Sequence, residues 1–393
     1  MKLGPRRAIR CVVGTVIAGL LGIGLAYGQA GQAGAGQKPQ MSEEAFKNIQ
    51  VLRGIPVKEF METMGFFASS LSLNCTDCHG EASASDWANY AIDTPMKQTA
   101  RRMVVMMNAI NKADFGGARM VTCYTCHRNS ERPKVIPSLA AQYAVPIADD
   151  PDEVEVIAGV RQTSTVDQIL NKYIQAVGGA QALAKLTSFT AKGTYSGFDS
   201  DFSKVSVDVF AKSPDQRATV VHQANADATS TYDGHEAWLA SPLTLAPVPL
   251  MPLVGEDLEG ARLDAMLSFP GQIKQTLSNW HVGFPATTVD DHPVDVIEGA
   301  TPSGALIKLY FDKQSGLLVR QVRYTHTAIG VVPTHVEYSD YRLVAGVKVP
   351  FKWTVTWVDG QSTFEMTQVT PNAPVDAAKF AKPGPPVTKA PAR

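Results

Sequence analysis

Two segments of the chain bring thiols and an imidazole together at fixed spacing. Cys75-Thr76-Asp77-Cys78-His79 and Cys123-Tyr124-Thr125-Cys126-His127 are both C-x-x-C-H. Two thiols at this spacing add across the two vinyl groups of one porphyrin, and the next residue presents an imidazole to the iron; this is the attachment pattern of c-type haem. With 5 Cys and 8 His in 393 residues, chance yields one such motif in about one chain in a thousand and two in on the order of one in a million. Two disulfides, or one zinc ion held by two C-x-x-C arms, would use the same thiols. Neither explains why a histidine follows both second cysteines. The expectation is two haem c groups, attached at Cys75, Cys78, Cys123 and Cys126 and ligated by His79 and His127.

Haem iron in an electron carrier commonly takes methionine as its sixth ligand, which raises the potential. Seven of the 12 methionines lie between Met61 and Met120. Pro56 suits the first position of a helix, and from there Phe60, Met61, Met64, Phe67, Ala68 and Leu71 share a face. Thr94-Pro95 starts a second helix, on which Ala100, Met103, Met107 and Ile110 form a stripe; Gly116-Gly117 ends it. Spacing alone leaves Met61, Met106 and Met107 open beside Met64 and Met103, and a methionine stripe also serves simply to fill a core. Met120 is too close to Cys123 to reach the opposite haem face. No histidine occurs between His79 and His127.

The runs FMETMGFFASSLSLNCTDCH, KQTARRMVVMMNAINKADF and VTCYTCHR follow in order. Through them, residues 42–132 resemble the cytochrome c subunit of photosynthetic reaction centres. In that family a methionine on the helix before each of three C-x-x-C-H motifs binds iron. The resemblance implies Met64 and Met103 as the sixth ligands here. The family subunit carries four haems in two related halves, so this chain resembles one half. The histidine that serves the family's fourth haem has no counterpart, and no lipobox is present. The resemblance thus implies a dihaem module in another periplasmic electron path. Arg101, Arg102, Arg119 and Arg128 lie near the motifs; guanidinium matches propionate geometry, while a solvated face is the simpler reading of each.

The surrounding chain must deliver and position these motifs. Lys2, Arg6, Arg7 and Arg10 precede the apolar residues 11–28, with small Ala26 and Gly28 at its end. That is an export signal; the run also approaches spanning length, so an uncleaved signal would associate the protein with the membrane. Cys11 stands at the start of the run, where a lipid-modified cysteine would not. Residues 29–41 read as a flexible tether. A net charge of -1 argues against nucleic-acid binding, and 45% hydrophobic with 19% charged residues excludes a disordered chain. No apolar run of spanning length follows residue 28, which excludes a multi-span membrane protein.

Residues 133–163, with Pro133, Pro137, Pro146, Pro151 and an acidic run at 149–153, have linker composition. Thr165 to Val177 then reads as an amphipathic helix (Val166, Ile169, Leu170, Tyr173, Ile174, Val177) closed by Gly178-Gly179. Beyond it the period changes to two. Val205, Val207 and Val209 alternate with polar residues, as do Phe351, Trp353, Val355 and Trp357. Asp359-Gly360 leads into Phe364 and Met366, and Ser315-Gly316 separates Tyr310-Phe311 from Val319. Leu258 to Ile273 reads as a short helix.

The expected fold is α+β and multidomain. A small all-α dihaem cytochrome domain (42–132) precedes a curved antiparallel β-sheet domain with few helices (164–382), and 383–393 form a disordered tail. Residues 165–380 weakly resemble the half-barrel of periplasmic lipoprotein-carrier proteins. That resemblance implies a hydrophobic ligand on the concave side, for which the apolar stretch 242–254 is either a lid or an ordinary buried loop. His222, His235, His281, His292, His326 and His335 are scattered without metal spacing, and no nucleophile elbow, P-loop or dinucleotide fingerprint is present.

The leading reading is an exported, periplasmic single-electron carrier whose partners are periplasmic or membrane redox proteins. The alternatives are a dihaem peroxidase, which needs an open iron position, and a hydrophobic-ligand or lipid carrier or sensor with an attached cytochrome module.

Overall fold

The computed structural model describes residues 38–142, 164–242, 246–283, 287–387 and 389. The export signal, most of the tether and most of the linker lie outside these residues. Among them the helices are α1 (Ser42–Ala45), α2 (Val57–Leu71), α3 (Cys75–His79), α4 (Pro95–Asp114), α5 (Cys123–His127), α6 (Leu139–Gln142), α7 (Val166–Ala176), α8 (Ala180–Leu183), α9 (Gly255–Leu267) and α10 (Ile273–Thr276).

A large antiparallel sheet follows the helical segment. Its strands are β1 (Ser188–Gly197), β2 (Val205–Lys212), β3 (Gln216–His222), β4 (Asp227–Tyr232), β5 (Ala237–Ala240), β6 (Leu250–Leu253), β7 (Ser278–Val282), β8 (Thr288–Val289), β9 (His292–Ala300), β10 (Leu306–Asp312), β11 (Leu318–His326), β12 (Val331–Val344), β13 (Val347–Trp357) and β14 (Gly360–Pro371). Their order is β6-β5-β4-β3-β2-β1-β14-β13-β12-β11-β10-β9-β7, with β8 paired to β9, so the sheet is open with β6 and β7 at its edges. The α+β expectation is borne out: a helical amino-terminal segment precedes an open antiparallel sheet.

Period two is visible in the burial of β2, where Val207, Val209 and Ala211 are buried and their neighbours are not. Trp357 pairs with Gly360 across the Asp359-Gly360 turn. The apolar stripe of α7 buries Ile169, Leu170 and Tyr173. It packs with Leu263 of α9 on Ile307, Leu309 and Phe311, and Tyr173 meets Phe311 edge-on with ring centroids 5.3 Å apart. Helix α9 begins at Gly255 and ends at Leu267, shorter at its far end than the apolar pattern suggests. In the stretch 242–254, Leu250–Leu253 form an edge strand paired to β5; residues 243–245 lie outside the described residues. Between α7, α9 and the sheet remains a cavity of about 110 Å³.

The helical segment docks on the hairpin ends of the sheet. Leu52, Phe66, Val104 and Met107 share one buried cluster with Ile329 and Val332 of the β11–β12 hairpin. Glycine at 330 permits this contact, since a Cβ there would lie 2.3 Å from Phe66 Cζ. Lys58 of α2 pairs with Glu62 and, at 3.5 Å, with Asp257 of α9. Arg119 donates to the Thr327 carbonyl oxygen.

Candidate functional site

Both C-x-x-C-H segments form single helical turns, α3 and α5, and both are held by side-chain caps. Asn74 Oδ1 accepts from the amides of Thr76 (2.9 Å) and Asp77 (3.1 Å), while Asp77 Oδ2 accepts from the Asn74 amide (2.8 Å). Thr122 and Thr125 make the equivalent reciprocal pair before Cys126. This is a capping box in each case. In a helical turn, residues i, i+3 and i+4 share a face, so the caps place each cysteine pair and its histidine on one side.

The two turns are also fixed from outside. Thr94 caps α4 through the Lys97 amide (3.2 Å), and its hydroxyl donates to the Cys78 carbonyl (2.6 Å). Asn111, 4% exposed, clamps the strand of chain entering the second motif: its Nδ2 donates to the Val121 carbonyl (2.7 Å) and its Oδ1 accepts from the Val121 amide (2.9 Å). Sequence reasoning missed both roles. A cap signature at Thr94-Pro95 is legible, but what its hydroxyl reaches is not; Asn111 shows only as a polar residue in an apolar register.

Each histidine is half-buried and uses Nδ1 on a backbone carbonyl. His79 Nδ1 donates to the Tyr90 oxygen (3.2 Å) and His127 Nδ1 to the Ser130 oxygen (3.0 Å). The tautomer is set by this bond, which leaves Nε2 as the free lone pair. Burial pulls the His79 pKa below its ordinary value; the Tyr90 bond opposes this, and Lys97 and Arg101 add to it. At neutral pH His79 is thus a neutral imidazole.

The four cysteines are not disulfide-bonded. Burial pushes the Cys123 thiol up to about 11 and also raises Cys78. Catalytic redox thiols lie below the ordinary value, not above it. Among the described residues no three His, Cys, Asp or Glu side chains converge as a metal site, so the two C-x-x-C arms do not meet around one ion. Two thiols and a tautomerically fixed imidazole on each turn are the donor set a covalently held iron porphyrin requires.

Helix packing separates the methionines. Pro56 is the cap of α2 rather than its first turn. The fully buried side of α2 is Val57, Thr63, Phe66 and Ser70, whereas the expected stripe Phe60, Met61, Met64, Phe67 and Leu71 stays half-buried. On α4, Val104, Met107 and Asn111 are buried, and Met103 is half-buried. Met107, 4% exposed, fills the docking core, while Met106 is 47% and Met120 63% exposed. Met64 borders that same core, as does Cys123. Arg101 is engaged by Asp93 (2.7 Å), Arg102 by Thr99 (2.9 Å) and Arg119 by Thr327.

Comparison with known proteins places a match on this same segment. Residues 28–176 match the family model of the photosynthetic reaction centre cytochrome C subunit. The photosynthetic reaction center cytochrome c subunit of Thermochromatium tepidum is 36% identical over 101 residues, covering 24% of this chain and 23% of the relative. That of Rubrivivax gelatinosus is 33% identical over 99 residues, covering 24% and 25%. The chain thus spans about a quarter of the length of the curated relatives it matches. Among solved structures, a LolA superfamily protein from Nitrosomonas europaea aligns with 56% of this chain and 99% of its own, at 12% identity and a TM-score of 0.37. A DUF1329 family protein from Desulfovibrio piger aligns with 56% and 98%, at 11% identity and a TM-score of 0.39.

Proposed function

We propose that this chain is an exported dihaem c-type cytochrome that transfers single electrons between periplasmic or membrane redox proteins. The observation that carries the reading is the pair of matching capped turns, each with two unpaired thiols and a histidine whose Nδ1 is committed to a carbonyl. Thioether bonds at Cys75 and Cys78, and at Cys123 and Cys126, hold the groups against loss, which suits an exported carrier. When bound, haem c supplies a one-electron iron couple; the protein positions it and sets its surroundings.

The resemblance of residues 42–132 to the reaction-centre cytochrome c subunit implies the ligand pairs His79 with Met64 and His127 with Met103; both methionines are half-buried on the helices that precede their motifs. A thioether for each iron favours an electron carrier over a peroxidase, which needs an open position.

The test is a pyridine haemochrome count with redox titration on protein matured in a host competent for cytochrome assembly. Two haems per chain are expected, and Met103→Ala lowers one potential and spares the other. Colourless protein with free or bridged thiols would overturn the reading. A second reading concerns the sheet: the cavity under α7 and α9 is proposed to hold a hydrophobic ligand.

A further inference from the structure

The cavity between the sheet, α7 and α9 contains an unbalanced charge. Most of its lining is apolar, with Phe189, Val209, Val336 and Trp353 among its walls, but Arg217 of β3 also lines it. Arg217 is half-buried and lines the cavity. Its Nη1 donates to Ser268 Oγ (2.6 Å), and its guanidinium carbon lies 5.6 Å from the centre of the Trp353 ring. The carboxylate that also lines the cavity, Asp264, is already committed. It accepts from Arg323 Nη1 (3.2 and 3.1 Å) and from Gln321 Nε2 (2.7 Å). Among the described residues no carboxylate lies within ion-pair distance of Arg217. Two guanidinium groups thus stand beside one half-buried carboxylate, and charges partly withdrawn from water are ordinarily paired. Burial pulls the Arg217 pKa down, with Asp264 and Tyr338 only opposing it.

We infer that this cavity binds a single-chain amphiphile by its carboxylate, with the head on Arg217 and the chain along the apolar wall. The inference rests on the reading of the cavity as a ligand site and adds the class of ligand. Volume sets the number of chains: a water needs about 10–15 Å³ in this measure, so a cavity of about 110 Å³ takes one narrow chain, not several chains or a fused-ring body. Charge sets the head. One uncompensated guanidinium matches a monoanion, and its fork matches the two oxygens of a carboxylate; a dianionic phosphate would leave the interior negative.

The test is calorimetric titration of the full, haem-loaded chain with dodecanoate, dodecanol and dodecyltrimethylammonium. Dodecanoate binds about tenfold or more tighter than dodecanol, and the cation binds weakest. In Arg217→Met the acid loses about tenfold or more while the alcohol is unchanged. Methionine keeps the apolar stem and removes the unpaired charge, so the variant should melt no lower than wild type in the absence of ligand. Equal affinity for acid and alcohol sinks the carboxylate inference and leaves the ligand site standing. Absence of binding by all three sinks both. The comparison of acid with alcohol on the wild type needs no variant to fold.

Discussion

Lys97 and His79 meet at a single atom. The Tyr90 carbonyl oxygen accepts from Lys97 Nζ at 2.7 Å and from His79 Nδ1 at 3.2 Å. The ammonium competes for the lone pairs that would otherwise strengthen the imidazole bond, and a histidine whose Nδ1–H is more strongly bound is a more electron-donating ligand. Lys97→Met frees that oxygen for His79 and removes a nearby positive charge, and both changes favour the oxidised metal. In the dihaem protein proposed above, the potential of the haem held by His79 should fall on the order of 60 mV, the equivalent of about tenfold in a one-electron couple, with the second haem unmoved. A redox titration in which neither couple shifts would show that Lys97 only ties down its loop.

Asn111 is the corresponding device for the second motif. Replacing it by Ala leaves both the amide and the carbonyl of Val121 without a partner, a loss of about 2–4 kcal/mol. The loop entering Cys123 should lose its register while the Thr94 bond keeps the first motif in place. Mass spectrometry of matured protein should then show chains with one haem, attached at Cys75 and Cys78. Full double loading would remove Asn111 from this role.

Phe66 joins the helical segment to the β11–β12 hairpin beside Gly330. Phe66→Ala should cost about 3 kcal/mol, the low end for a buried phenylalanine. Urea unfolding followed by haem absorbance should shift to a lower midpoint. An unchanged midpoint would mean the docking contact adds nothing to the stability of the amino-terminal helical segment.

Glu59 lies where α2 meets α9. Burial raises its pKa above the ordinary 4.5; Arg119 opposes this, and Asp257 and Glu256 add to it. An acid whose folded pKa is raised holds its proton more tightly when folded, so its contribution is full below the unfolded value and is lost as pH rises through the folded one. Glu59→Gln should therefore flatten the fall in stability above pH 4.5 and leave the variant more stable than wild type at neutral pH. Parallel unfolding curves for the two proteins at acid and neutral pH would refute the assignment.

Some of this molecule is legible without coordinates. C-x-x-C-H is read from the chain because thioether chemistry fixes its spacing within five consecutive residues. Helix α7 and strand β2 are legible because burial on one face imposes a period of 3.6 or 2. The cap at Thr94 is local too, since a side chain reaching an amide three residues on leaves a sequence signature.

What pairs with what across the fold was decided elsewhere. Met103, Met106 and Met107 differ only by rotation about one helix axis, and it is the docking of α4 on the sheet that sends Met107 into the core. Lys97 and His79 share the Tyr90 oxygen because a loop returns it to them, and Arg217 is left unmatched because Arg323, on a strand more than 100 residues later, takes Asp264 first. Periodicity and motifs record neighbours along the chain; a hydrogen bond or an unbalanced charge depends on distances that only long-range packing sets.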